Sequence, residues 1–290
     1  MTAVGVFADS TDRSMPIVDL AVALEERGFT SIFLNEHTHI PVHAPRSSYP
    51  LGGETPDRYP RFWDPYTALS FVAARTSLDV GTAVSLVAEH DAIALAKATA
   101  TLDVLSRGRL HLGVGWGWHR EEFEDHGLPA NVRAAVVEET VRLLREIWTK
   151  DVASFEGRYR RLSPSMSWPK PAQSPHPPVL LGAPASERNF RRAAAWADGW
   201  LPTADPIREP RYADWIRYIR KAWEDAGRDP AGCRITAVLA LVPRRDLPQA
   251  LDRARDLGLE RVLLHVPEES TDRTLQRLDQ YAQTLEGRGR

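Results

Sequence analysis

A (β/α)8 TIM barrel, an α/β fold in which eight parallel strands each feed a helix, is what three features of this 290-residue sequence predict. Eight short runs rich in Val, Ile, Leu and Phe recur along the chain without clean alternation, the pattern of strands covered on both faces. Helical patterns lie between most of them, and that alternation implies parallel strands joined by right-handed crossovers. Each unit takes about 36 residues, close to the spacing of such a barrel, whereas a doubly wound open sheet usually has fewer strands.

The strands fall at residues 3–8, 31–35, 77–86, 109–114, 178–182, 199–202, 235–242 and 261–266. After the first, Ser14 can cap a helix whose apolar side runs through Ile17, Ala21 and Leu24, with Gly28 just past its end. The second is followed by a long loop, 38–62, punctuated by Pro41, Pro45, Pro50, Gly52, Gly53, Pro56 and Pro60. A loop well beyond about 15 residues in a compact domain is usually functional, often a lid. Beyond the third strand, Asp91 opens a helix carrying Leu95, Ala98, Leu102 and Leu105, which ends near Gly108. The next helix spans about 133–149. Residues 151–177 read as a small insertion before the fifth strand, with 152–155 and 159–162 forming a hairpin about Gly157. The five prolines of 168–178 dictate an extended connector. Helices over 186–197, 210–226, 247–257 and 271–285 complete the pattern. No repeat or linker divides the chain, so residues 1–290 are expected to form one domain.

Composition narrows the function. With 37 Lys+Arg against 39 Asp+Glu the net charge is −2, without the basic excess of a nucleic-acid binder. Cys233 is the only cysteine, which rules out an intramolecular disulfide and a cysteine-rich metal site. No run of 18 apolar residues and no basic-then-apolar leader occurs, so a cytoplasmic protein without a membrane partner is expected.

In such a barrel the working groups sit at the C-terminal ends of the strands. The second strand ends in Asn35-Glu36-His37-Thr38-His39. His37 and His39, two apart, point the same way as a metal-dependent hydrolase requires, but the fifth and sixth strands end in Gly182-Ala183 and Pro202-Thr203 and supply no further ligand. His37 is better suited to proton or hydrogen-bond work, and His39 to a loop or packing role. The glycines of 113–117 fail as a dinucleotide fingerprint, because Trp118 and Arg133 stand where a glycine and an acid are needed. Alternating glycines can still let a flat ring or a phosphate approach the backbone. Residues 182–186 run into a helix capped by Ser186, whose free N–H groups would face the mouth and favour phosphate. Arg244-Arg245 compete for that role but read better as a solvated turn. Of the nine tryptophans, Trp63, Trp116 and Trp118 can serve the site, while Trp148, Trp196, Trp215 and Trp223 fall at helical core positions. No Gly-x-Ser-x-Gly elbow, Walker loop or zinc-protease helix occurs.

The combination resembles a known family. Glu36-His37, Gly81-Thr82-Ala83-Val84, Leu95-Ala96-Lys97-Ala98, the block from Thr101 to Arg109, Leu112 through Trp118, Arg120-Glu121-Glu122-Phe123, and Ala197-Asp198-Gly199-Trp200 look like the luciferase-like flavin-dependent oxidoreductases. The resemblance runs from Gly5 to the last helix and is closest to the branch that uses the deazaflavin coenzyme F420 instead of FMN. It implies a barrel with the ring in its mouth and a non-proline cis peptide at Ala83–Val84 forming a bulge behind that ring. It also implies Gly115, Trp116 and Gly117 with Gly182, Ala183, Pro184 and Ala185 at the ribityl phosphate end, His37 at the redox centre, and Glu36 contacting the ring or fixing the imidazole. Two departures matter. Sugar-phosphate dehydrogenases of the family carry an acid where Trp118 stands and a tryptophan where Pro41 stands, so that substrate is not expected. Trp116 and Trp118 instead suggest an apolar shelf.

The resulting expectation is an oxidoreductase moving a hydride between coenzyme F420 and a small organic substrate, with His37 handling the proton. An FMN-dependent monooxygenase is the alternative, and a noncatalytic flavin-binding barrel the second. Oligomeric state stays open, although barrels of this family often pair as homodimers.

Overall fold

The computed structural model describes residues 2–202, 207, 210–240 and 242–286. Its strands are β1 (Ala3–Ala8), β2 (Ser31–Leu34), β3 (Asp79–Ser85), β4 (Leu110–Val114), β5 (Ala153–Glu156), β6 (Arg161–Ser165), β7 (Val179–Leu181), β8 (Gly199–Trp200), β9 (Arg234–Leu239) and β10 (Arg261–Val266). All but β5 and β6 close into one parallel barrel, in chain order around the ring with β10 back against β1. The eight expected strands are all present, with ends shifted by a few residues. The expected extension of the seventh strand to 242 crosses position 241, outside the described residues, as does Thr203 after the sixth.

The helices are α1 (Ile17–Glu26), α2 (Pro65–Arg75), α3 (Ala92–Leu105), α4 (Arg120–Asp125), α5 (Arg133–Thr149), α6 (Glu187–Trp196), α7 (Tyr212–Asp225), α8 (Leu247–Asp256) and α9 (Thr271–Glu286). Asp91 and Ser186 cap α3 and α6 as expected, accepting from Ala94 N–H at 2.8 Å and Asn189 N–H at 3.2 Å. Ser14 does not cap α1, which starts after Pro16 with no side-chain cap. Its hydroxyl instead accepts from Thr11 N–H and donates to Thr11 O, both at 2.9 Å, closing a turn upstream. Two helices escaped the sequence reading. α2 is announced by Asp64-Pro65, where the carboxylate accepts from Thr67 N–H at 2.7 Å. α4 is only six residues long and is capped by His119 Nδ1, an unusual cap.

The insertion forms the expected hairpin, β5 against β6, set one to three residues later than expected. Residues 168–178 hold no regular element, and the Trp168–Pro169 and Ser174–Pro175 bonds are cis.

Two apolar layers hold the barrel. Leu24, Ile32, Val80, Leu112, Val179 and Val262 belong to the large core cluster, buried with side chains of the surrounding helices. Phe33, Ala83, Leu180, Leu201, Val238 and Leu263 form a separate cluster, against which Phe7, Val84 and Ala240 pack while remaining half-buried. Each fully buried Leu, Val or Phe contributes roughly 1.5–3 kcal/mol. The foot of the barrel is closed by charge: Arg261, first in β10, donates to Asp79 at 2.6 Å and lies over the Phe33 ring at 5.3 Å. Asp198 accepts from Arg145 at 3.0 and 3.1 Å and from Val179 N–H at 2.9 Å. Arg109 donates to the carbonyls of Ser106 and Ala73 at 2.6 and 2.8 Å. The 101–109 block and Asp198, both part of the family resemblance, therefore tie the foot together, away from the C-terminal ends of the strands.

Candidate active site

At the opposite face, β2 delivers Glu36 and His37 side by side, and their side chains part. Glu36 is buried, and both its oxygens are engaged. Oε2 accepts from Ser85 Oγ at 2.7 Å and Leu86 N–H at 2.6 Å, and Oε1 is hydrogen-bonded to His90 Nε2 at 2.7 Å. Tyr66 donates to Ser85 Oγ at 2.8 Å and extends the chain. Burial alone would lower the His90 pKa, but the hydrogen bond and charge of Glu36 outweigh it and raise it.

Glu36 therefore braces the end of β3 and does not fix the His37 imidazole, one of the two roles expected for it. Glu122 of α4 does that. His37 Nδ1 and Glu122 Oε2 share a hydrogen bond of 2.6 Å, and Thr38 N–H donates to Glu122 Oε1 at 2.8 Å. Sequence reasoning had Glu122 only inside a motif; the reach across 85 positions carries no local signal. The His37 side chain is 7% exposed. Around it stand Tyr59, Phe62 and Trp118, with ring centroids at 5.1, 6.2 and 5.7 Å, and Tyr49 packs on Tyr59 and Trp118. Burial raises the Tyr59 pKa, keeping it a neutral phenol.

Three of those rings, Tyr49, Tyr59 and Phe62, come from the 38–62 loop, which is tied down on both sides. Toward α4, Arg46 N–H donates to Glu121 at 2.9 Å, Ser47 Oγ donates to the same carboxylate, and Arg120 N–H donates to Ser47 Oγ at 2.8 Å. Burial pulls the Glu121 pKa upward, yet these bonds more than offset it and hold it at about 2. Toward β1, Arg58 pairs with buried Asp9 at 2.9 Å, Arg61 with Asp12 at 3.0 Å, and Trp63 N–H donates to Ser10 O at 3.1 Å. Trp63 itself is 47% exposed and lies outside the ring cluster.

Asp9 joins a second polar group that the sequence reading missed. It accepts from Asn35 Nδ2 at 3.0 Å and is 3.0 Å from His265 Nε2, whose ring stacks on Phe7 at 5.4 Å. A third missed carboxyl is Glu89, in the short turn Val87–Glu89. Burial, then the charges of Glu122 and Glu36, push its pKa up to about 9.

The Ala83–Val84 peptide is cis, as the resemblance implied, and the β3–β4 register shifts between Thr82 and Ser85. Val84 explains two of the expected glycines. A Cβ on Gly115 would lie 2.6 Å from Val84 Cγ2, and one on Gly182 would lie 2.2 Å from Val84 Cγ1. Gly117 has a φ of +64°, a backbone that favours glycine. Gly115, Gly182 and Ala183 are buried, and Ala183 O accepts from Trp200 Nε1 at 2.8 Å. Surface for a ligand in these segments is thus left to half-buried Trp116 and Gly117, exposed Pro184 and half-buried Ala185. Arg192 of α6 lies over the Trp116 ring at 5.7 Å. Arg245 is a solvated turn residue, 86% exposed and 3.5 Å from Asp246. His37 and His39 do not converge on a shared point, since His39 Nε2 pairs with Asp125 at 3.0 Å.

The profile of the luciferase-like monooxygenase family matches residues 3–290, and the chain belongs to that family. An uncharacterized protein of Mycobacterium tuberculosis is 38% identical over 272 residues, covering 92% of this chain and 93% of that one. An F420-dependent glucose-6-phosphate dehydrogenase of Nakamurella multipartita is 33% identical over 218 residues, 73% of this chain and 59% of that one. Among solved structures, a monooxygenase of Streptomyces bottropensis superposes with a TM-score of 0.79 at 20% identity, over 99% of both chains, a likeness of fold. The family makes the chain a luciferase-like oxidoreductase. Among the described residues no helix is long and apolar enough to cross a membrane.

Proposed function

We propose that this protein transfers a hydride between coenzyme F420 and a small organic substrate, with His37 placing or removing the proton. The observation that carries the reading is the pairing of His37 with Glu122 under an aromatic cage, at the same end of the barrel as the Ala83–Val84 peptide. Sequence likeness to an F420-dependent dehydrogenase supports the choice of coenzyme.

The residues present suit a flat, anionic-tailed coenzyme. Phe7, Val84 and Ala240 leave part of their apolar surface uncovered above the inner cluster, a seat for one face of a planar ring. The N-terminus of α6, with exposed Arg188, and Pro184 and Ala185 before it, suits a phosphate. A bound deazaflavin supplies two-electron hydride chemistry. The chain's own part is to orient the substrate and to hold a proton at His37 Nε2, which has no hydrogen-bond partner among the described residues. The rings of Tyr59, Phe62 and Trp118 keep bulk water from that nitrogen and favour an uncharged substrate. Trp118 in place of an acid disfavours a sugar phosphate.

Spectral titration with F420 and with FMN, followed by turnover with His37→Ala, tests this. The expected result is F420 binding, with turnover reduced on the order of 10²-fold or more in the variant. Tight binding of FMN alone, with oxygen consumption by its reduced form, would move the protein to the monooxygenase reading. Binding without turnover for any donor and acceptor would make it a noncatalytic flavin-binding barrel. Cytoplasmic location and assembly as a homodimer are parts of the same proposal.

A further inference from the structure

From the polar side chains behind His37, we infer that this chain carries a proton path from solvent to the imidazole, made by Glu122, Thr38 and His39. The use of that path in reduction rests on the function proposed above; its existence rests on geometry alone.

With its side chain 7% exposed among Tyr59, Phe62 and Trp118, His37 meets little water from the mouth. Its Nδ1, however, meets Glu122 Oε2 at 2.6 Å. The other carboxylate oxygen, Oε1, accepts from Thr38 Oγ1 at 3.4 Å, a contact that must shorten for transfer. Thr38 Oγ1 also lies 2.9 Å from His39 Nδ1 and 3.0 Å from His126 Nε2. His39 Nε2 lies 3.0 Å from Asp125, and these two side chains are 41% and 60% exposed. One unbroken series of hydrogen-bonding groups therefore joins a buried imidazole to water.

The hydroxyl at its centre has one proton and several partners, so it acts as a switch. With His39 neutral and its Nε2–H donating to Asp125, Thr38 O–H donates to His39 Nδ1. With His39 protonated, Nδ1–H donates to Thr38, and Thr38 O–H turns to Glu122 Oε1. A proton taken from water at His39 is thereby offered to Glu122. Reduction of a carbonyl places a hydride on carbon and needs one proton on oxygen. His37 releases that proton from Nε2 as it receives one at Nδ1 from protonated Glu122. Glu122 regains its proton from Thr38, and Thr38 regains one from His39. One proton enters at His39 as one leaves Nε2. Once product has left, Nε2 takes a proton from a water entering the mouth, Nδ1 returns its own to Glu122 Oε2, and the series runs back outward from Oε1 through Thr38 to His39, which restores the starting state. Oxidation of an alcohol runs the same series outward.

Thr38→Val tests this cleanly. It keeps the shape and the backbone N–H that donates to Glu122, and removes only the hydroxyl. In ¹⁵N-histidine-labelled, cofactor-free protein, the lifetime of the His37 ring N–H proton against exchange with water is measured by NMR. The variant should lengthen it on the order of ten- to a hundredfold, with the His37 nitrogen shifts unchanged, and Thr38→Ser should restore it. Unchanged exchange in Thr38→Val would overturn the path. Shifted His37 nitrogens, or failure of Thr38→Ser to restore exchange, would mark Thr38 as structural and likewise overturn it. Slowed exchange without any turnover on F420 would keep the path and overturn the function on which its use in reduction rests.

Discussion

Glutamine at position 89 should remove a pH dependence of stability that the wild-type chain cannot avoid. Glu89 is buried beside Glu122 and Glu36, its Oε2 has no hydrogen bond, and the His126 Nε2 nearby is 3.6 Å away. Its pKa is raised from 4.5 to about 9, burial being the larger cause and the two neighbouring carboxylates the next. The folded state therefore keeps a proton that the unfolded chain gives up above pH 4.5. Stability from this group is complete below the unfolded pKa and is lost as pH rises toward the folded one. The loss runs at about 1.4 kcal/mol per pH unit, hence roughly 3 kcal/mol between pH 6 and pH 8. Glu89→Gln carries no titrating proton and escapes it. Urea unfolding of both proteins at pH 6 and pH 8, followed by tryptophan fluorescence, reads the difference. The variant should gain roughly 3 kcal/mol on the wild type between the two pH values. An equal stability difference at both would show that Glu89 is ionised in the folded protein and refute the reasoning.

Other expectations follow from the same packing. Gly182→Ala, whose Cβ would lie 2.2 Å from Val84 Cγ1, should destabilise the protein by about 1–3 kcal/mol, and Val84→Ala should recover part of that in a double-mutant cycle measured by denaturant unfolding. Ser47→Ala removes a partner of both Glu121 and Arg120 N–H, so limited proteolysis should cut within 38–62 faster than in the wild type, with little change elsewhere. Glu122→Gln leaves His37 without its carboxylate and should lower turnover on the order of 10²-fold; an unchanged rate would exclude Glu122 from proton handling.

The fold was legible because its signals are local. Apolar runs such as 3–8 and 261–266 announce strands by composition, and Asp91 and Ser186 mark helix starts by their side-chain chemistry. Asp64-Pro65 carried the same kind of signal for α2 and was overlooked. The site was legible only in part. His37 and Glu36 stand out because they end a strand, but their partners lie on other elements: Glu122 on α4, His90 after β3, Tyr59 and Phe62 in the loop. Pairing across 85 positions depends on how α4 docks, which no spacing in the sequence encodes. The glycines show a related gap. Gly115 and Gly182 read as a cradle for a ligand, and the structure adds a packing reason that no spacing encodes, room for the Val84 side chain. The 101–109 block, part of the family resemblance, holds the foot of the barrel together, so resemblance there speaks for architecture more than for chemistry.

A crystal structure of the protein grown with F420 reaches the heart of the matter. The deazaflavin ring should lie in the barrel mouth with one face toward Val84, its reactive edge toward His37, and its phosphate end near Pro184, Ala185 and the start of α6. A ring bound elsewhere on the surface, or a mouth that stays filled by Tyr59, Phe62 and Trp118 while saturating coenzyme is present, would contradict the account.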